Sequence, residues 1–461
     1  MTGHDHRGLS TSASHRASID AYENALEALL SGRGSALMLV DEALASDPGF
    51  AMGHALRIAV LILAADERLD PALRDSVNAM GTSTTPNRRE RAYAVAGRAW
   101  LDRDATRAFR IFGDLAVDYP RDLLALRLAH TGDFRLGQRA MLRDRLARAL
   151  PDWSADTPGY SYVLGMHAFG LAESALYAPA ERFARAALAL NPGNAGAMHA
   201  LTHVMEMQGR PEEGVALLRH SVGNWADSRA HAVHQWWHLA LFHTELTQLE
   251  DALCIHDRHM TMGGGDDTAA LVDAAALLWR LCLRGVDVGR RFHTLADLWA
   301  ERPVGGLNLF QDAHAMLAFV GAERPARIEA MLTTLRARAD GGGAGAAVIA
   351  GRLIPVCEAL AAFGRGDYAS AVHQLSALRD LPYGGGGSQA QYDLLHLTLV
   401  EAALRSRQRR LARALIAERL ALRPASPLNH ELARALGDRP DRTSMIPVYW
   451  PSIEPAATYA R

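Results

Sequence analysis

The sequence contains no lysine: all 49 basic residues are arginine. Schiff-base chemistry and attachment of pyridoxal phosphate both need a lysine amine, so neither is open to this chain. A phosphate-binding P-loop needs its lysine too and is equally excluded. Cysteine is scarce. Cys254, Cys282 and Cys357 lie far apart, form no CxxC pair and outline no disulfide framework, which fits a reducing, cytoplasmic setting. The opening MTGHDHRGLSTSAS has no apolar core of a signal peptide. Apolar runs such as AVLILAA after Ile58 are too short to span a bilayer. Charge of one sign is also missing. A formal net charge of −2 favours neither nucleic acid nor an anionic membrane as partner.

Strand alternation is absent over any long stretch, and alanine, leucine and arginine recur at helical spacing. The expected fold is therefore all-α. Internal similarity refines it. "AERFARAALALNPGNAGAMHALTHVMEMQGRPEEGVALLRHSV", from Ala180, reads helix, Pro-containing turn, helix, Gly turn, helix, which matches the tetratricopeptide pattern. "MLVDEALASDPGFAMGHALRIAVLI" repeats the helix–Asp-Pro–helix unit, and segments from Ala362 and Arg409 repeat its halves. Hairpins of this kind bury their apolar faces only by stacking, so the expectation is an α-solenoid over residues 18–437, curled around a central pocket. Residues 1–17 read as an N-terminal arm. The proline-rich residues 438–461 read as an irregular C-terminal arm. Connectors are expected at Gly81–Asn87, Pro151–Gly159, Met262–Asp267, Ala339–Ala344 and Leu381–Ser388.

Chemistry-bearing residues concentrate in one segment. Nine of the 20 histidines fall between His199 and His259. His199, His203 and Glu206 stand at i, i+4 and i+7, one stripe of one helix. His231, His234 and His238 stand at i, i+3 and i+7, with Glu245 further along the same face and Trp236 and Trp237 flanking them. A helical i, i+4 histidine pair chelates a divalent metal, and a carboxylate completes a mixed shell. The same set suits acid/base work, because histidine titrates near neutrality and a carboxylate orients it. Buried histidines joined to neighbours by hydrogen bonds are the structural alternative. No HExxH motif is present, so no metalloprotease is indicated.

Two further patches complete the candidate set. Asp312 and His314 lie beside a helix start, where Asp312 serves either a site or the helix cap. Gly384–Gly387 and Ser388 precede a helix carrying Gln391 and Asp393. Bare amides there bind carboxylate or phosphate, unless Ser388 simply caps the helix.

Taken together these motifs resemble the tetratricopeptide-repeat-protein-38 family. The likeness runs from "GLSTSASHRASIDAYENAL" through "RERAYAVAGRAWLDRD", "YVLGMHAFGLAE", "HALTHVMEMQGRPEEG", "HQWWHLALFH" and "FQDAHAMLAF" to "GGSQAQYD". It departs at Tyr392, where the family pattern has arginine, and at Gln235, where it has asparagine. The resemblance implies that His199, His203, Glu206, His234, His238, Asp312, His314, Ser388, Gln391 and Asp393 belong to one motif set, and it implies no reaction. The combined expectation is a pocket that binds or turns over a small polar molecule. His199, His203, Glu206, His234, His238, Asp312 and His314 would do the chemistry, with or without a divalent metal. Trp237, Ser388, Gln391 and Asp393 would hold the ligand. The competing expectation is a non-catalytic adaptor that binds a protein or peptide in its groove.

Overall fold

The computed structural model describes residues 3–13, 15–82, 86–228, 231–260, 268–302, 305, 309–342, 345–379 and 386–437. The C-terminal arm and the Met262–Asp267 connector lie outside the described residues. The chain is an all-α solenoid of helical hairpins, as its periodicity predicts. The sole sheet among the described residues pairs Gly3–His4 with Ser10–Thr11, antiparallel.

One backbone feature sets the repeat. The first helix of each hairpin ends on a residue with positive φ. These residues are Gly32, Ala65, Arg103, Gly137, Ala175, Gly209, Thr247, Gly285, Glu323, Gly366 and Arg407, spaced 33 to 43 residues apart. A left-handed residue turns the chain out of the helix and lets its amide reach back to a carbonyl of the last turn, as Ala175 N does to Ala172 O. Six of the eleven are not glycine, so no single residue type marks the turn in the sequence. N-caps open many of the helices. Ser35, Asp104, Asp122 and Asp367 each accept a backbone amide from the first turn, and Asn87 and Glu90 close a capping box.

The chain divides into two compact units, each described by itself: residues 1–204 with 221–232, and residues 205–220 with 233–461. In the first unit, helix Tyr160–Glu173 is the innermost element, with every residue from Ser161 to Glu173 buried. Gly170 there lies so close to the backbone of Leu142 that a Cβ would sit 2.4 Å from its carbonyl oxygen. In the second unit, Thr268–Leu283 has the same standing, buried from Ala270 to Leu281. Ala346–Gly364, also in the second unit, is continuous, 19 residues long, and by length and composition apolar enough to cross a membrane. Its Leu353, Cys357, Leu360 and Phe363 are buried against neighbouring helices, the role of a core element. A π-helical turn at Ile349–Leu353 precedes Pro355, which has no amide proton to continue the α ladder.

The N-terminal segment is docked rather than trailing, and its first helix starts at Arg16. Asp5 accepts the amides of Arg7 and Leu9. Arg89, 1% exposed, reaches both Asp5 and Asp122 at 3.3 Å and donates to the Ser10 carbonyl. Tyr93 donates to the other Asp122 oxygen at 2.9 Å. Replacing Arg89 by Met would leave the buried Asp122 without its cation and Asp5 with only Arg7, at 3.9 Å. Breaking a buried pair this way costs about 3–5 kcal/mol. Urea denaturation of Arg89→Met is expected to show a loss of that size, with faster amide exchange at residues 5–11. A change below about 1 kcal/mol, the level of an exposed ion pair, would show that the network holds nothing.

Candidate functional site

Apart from His231, which precedes its helix, every candidate histidine and carboxylate named from the sequence lies on the first helix of a hairpin. Helix Ala195–Met207 carries His199 and His203 in the first unit and Glu206 in the second.

In the first unit, His203 is fully buried and its Nε2 meets His199 Nε2 at 2.8 Å, the rings edge to face. Glu173 Oε1 stands 3.4 Å from His203 Nδ1. Phe169 stacks on His199 and presents its edge to His203, both at 5.3 Å between centroids. Two ring nitrogens this close need a proton between them, one donating and one accepting. The same convergence is what an i, i+4 pair uses to chelate a divalent metal, with the carboxylate behind it fixing the ring. Nearby, His130 lies edge-on to Phe169, and burial, then the charges of Arg127 and Arg145, push its pKa down to about 3.

In the second unit, helix Ala232–Glu245 supplies a different pair. His234 Nδ1 lies 2.7 Å from Asp273 Oδ2, and His238 Nδ1 lies 2.7 Å from Glu206 Oε2. The rings are 4.7 Å apart at 80°. Trp237 is fully buried, stacks on His234 and carries the Arg280 guanidinium over its ring, 5.4 Å from the centroid. Trp236 is half-buried and stacked on His259 at 3.7 Å. With Nδ1 turned to a carboxylate, a neutral imidazole carries its proton there and its lone pair on Nε2.

The two environments differ in sign. Burial lowers the His234 pKa, but the Asp273 charge and hydrogen bond outweigh it and leave the pKa raised. Burial holds His238 well below the ordinary histidine range, reinforced by the positive charges of His234 and Arg280. Neighbouring groups driven apart in this way make an acid and a base at one pH.

The remaining predicted residues divide. His314 sits close enough to Asp273 and Arg280 to feel both. Burial brings its pKa down to about 4, and its Nδ1 meets the Phe310 carbonyl at 2.8 Å. Asp312 accepts the Gly305 amide at 2.7 Å, which clasps the preceding loop instead of presenting a carboxylate. Ser388 and Gln391 close a capping box. The Ser388 hydroxyl accepts the Gln391 amide, and the Gln391 side chain accepts the Ser388 amide. The structure thus gives these two the helix-cap role. Gly387, with φ of +93°, packs where a Cβ would strike Phe310 and Tyr392. Asp393 is bound by Arg419 at 2.6 and 3.1 Å and by Arg423 at 2.5 Å. Burial opposes its charge, and those arginines overcome this and hold its pKa far below the usual carboxylate range.

Sequence reasoning missed Asp273, Arg280, Arg419, Arg423 and Glu173. A cleft in the same unit is lined by Glu206, Arg210, Glu245, Arg280, Asp393 and Arg423 with Leu241, Phe242, Leu397 and Leu428, and neither His234 nor His238 lines it.

No protein-family model matches the chain. Matches among solved structures include the anaphase-promoting-complex hetero-tetramer Cut9–Hcn1, at 11% identity over 92% of this chain and 96% of that one, TM-score 0.31. The tetratricopeptide domain of P58(IPK) matches at 12% identity over 85% of this chain and 99% of that one, TM-score 0.20. Values this low say nothing about partners or chemistry.

By linkage, His234 contributes stability that is full below about pH 6.5 and fades as pH rises through its raised folded value. Neutral His238 acts oppositely: its contribution is full above about pH 6.5 and is lost as pH falls. Ring-nitrogen NMR titration is expected to find His234 protonated above pH 6.5 and His238 neutral well below it. In Asp273→Asn the His234 value should drop below 6.5. Coincident titration of both rings near about 6.5 would show that the carboxylates and burial do not tune them.

Proposed function

We propose that the chain is a tetratricopeptide-like repeat protein that binds and turns over a small polar molecule by acid/base chemistry, within the tetratricopeptide-repeat-protein-38 family that its motifs resemble. The observation that supports this reading is the split pair of the second unit. Protonated His234 is the acid and neutral His238 is the base. Asp273 and Glu206 set their orientation and tautomer, as carboxylates do behind catalytic imidazoles. His234, with its side chain 21% exposed, is the member a ligand reaches first. In the first unit, His199 and His203 add a second pair that suits either proton transfer or a divalent metal. The site is read as cytoplasmic in keeping with the sparse cysteines.

A scaffold needs no such polarity. Fixed core histidines can be satisfied by backbone carbonyls, whereas here carboxylates are buried to serve them, an arrangement with a desolvation cost. Native mass spectrometry of tag-free protein incubated with a small-molecule cell extract tests the proposal. A bound species should appear with wild type and be lost in His238→Gln, while circular dichroism stays unchanged. Elemental analysis of wild type and His203→Ala reports in parallel whether the first pair holds metal. A well-folded His238→Gln that retains every adduct, or a wild type with none, sinks the acid/base reading and leaves an adaptor in its place.

A further inference from the structure

Arg280 is the unusual cation of the second unit. It projects from the apolar helix Thr268–Leu283 and is 4% exposed. Its hydrogen bonds go to backbone carbonyls: Ala276 on its own helix at 3.2 Å, Ala390 at 2.8 Å and Gln391 at 3.5 Å. No carboxylate among the described residues lies within ion-pair distance of it. A guanidinium in that position normally has a counter-charge, because burying one without it is costly.

The carboxylates around it are already engaged. Asp393 is held by Arg419 and Arg423. Glu206 accepts from His238, and Glu245 accepts from the Ser426 hydroxyl and the Leu428 amide. Arg419 and Arg423 join Arg280 around Asp393, and Glu206 and Glu245 line the same cleft. Burial brings the Arg280 pKa down to about 10, although Asp393 and Glu206 oppose it. Arg280 lines this cleft and also a neighbouring one, which share Thr244, Arg280, Leu397 and Leu428.

We propose that Arg280 anchors the anionic group of a small ligand in this cleft, a carboxylate or a phosphate. The guanidinium keeps one donor on Nε and one on Nη1 for the anion, and Leu241, Phe242, Leu397 and Leu428 receive the ligand's apolar part. The Tyr392 hydroxyl on the adjoining helix is turned to the Gly386 carbonyl. Arg280, contributed by a different hairpin, supplies the cation beside that helix start. The anion site rests on Arg280 and the cleft. That its occupant is the substrate of the histidine pair rests on the reading above.

Acetate, succinate and inorganic phosphate serve as probes in calorimetric and thermal-shift titrations of the full chain. At least one is expected to raise the unfolding midpoint of wild type in a concentration-dependent way. Its affinity should fall at least tenfold in Arg280→Gln and in Leu397→Trp, which fills the cleft without altering charge. The carboxylate and phosphate arms identify the anion. The probes are read by binding alone, so failure of the acid/base reading, which is tested by adduct loss in His238→Gln, is seen separately. If Arg280→Gln does not fold, Leu397→Trp and the guanidinium NMR signal of wild-type Arg280 under titration decide the matter. The proposal is overturned if no probe binds wild type, if Arg280→Gln binds equally, or if Leu397→Trp leaves the response intact.

Discussion

A helix surrounded on every side by other helices gives its charged residues no route to water. Tyr160–Glu173 and Thr268–Leu283 are such helices, one in each unit, and each carries charge: Glu173 on the first, Asp273 and Arg280 on the second. The organisation of both candidate sites follows from that constraint. A buried carboxylate is tolerated only with donors against it. Glu173 has His203, and Asp273 has His234. The histidine stripes of the neighbouring helices are thus the complement of charge placed at the centre of each unit.

That complement is uneven, and the unevenness is what makes chemistry available. Asp273 outweighs burial at His234, so the imidazolium is stabilised there. At His238, burial and two neighbouring positive charges prevail although Glu206 stands at hydrogen-bond distance. The rings are a turn apart on one helix, close enough for a single ligand to touch both. Trp237 keeps them in place by stacking on one and giving its edge to the other. Rigid support of this kind is what a catalytic constellation needs more than it needs unusual residues.

Much of the architecture was legible because helical periodicity is local. The hairpins, the all-α class and the polar stripes at His199 and His234 follow from spacing alone. The exact repeat did not, because its marker is a backbone angle adopted by Ala65, Arg103, Thr247 and other residue types that carry no turn signature. Of the site, the histidines and Glu206 were visible. Their partners were not. Asp273 and Arg280 interrupt an otherwise apolar run, TAALVDAAALLWRLCL, and that interruption was the available signal. Only tertiary placement shows that Asp273 meets His234. Ser388 and Gln391 were open to two readings, ligand site or helix cap. A serine–glutamine pair three residues apart at a helix start has the spacing of a capping box, and the structure forms that box.

The buried N-terminal network has a consequence for the order in which the molecule can assemble. Asp5 is synthesised 84 residues before Arg89, and Arg89 is made 33 residues before Asp122. From the start Asp5 has the amides of Arg7 and Leu9, and Arg7 pairs with Glu23 on the first helix, so residues 3–11 are able to dock there early. On a translating ribosome, hairpins between Arg16 and Leu101 are able to form while the buried network still lacks Asp122. The network around the earliest-made segment therefore closes late, and its closure reports that the helix beginning at Leu123 has arrived.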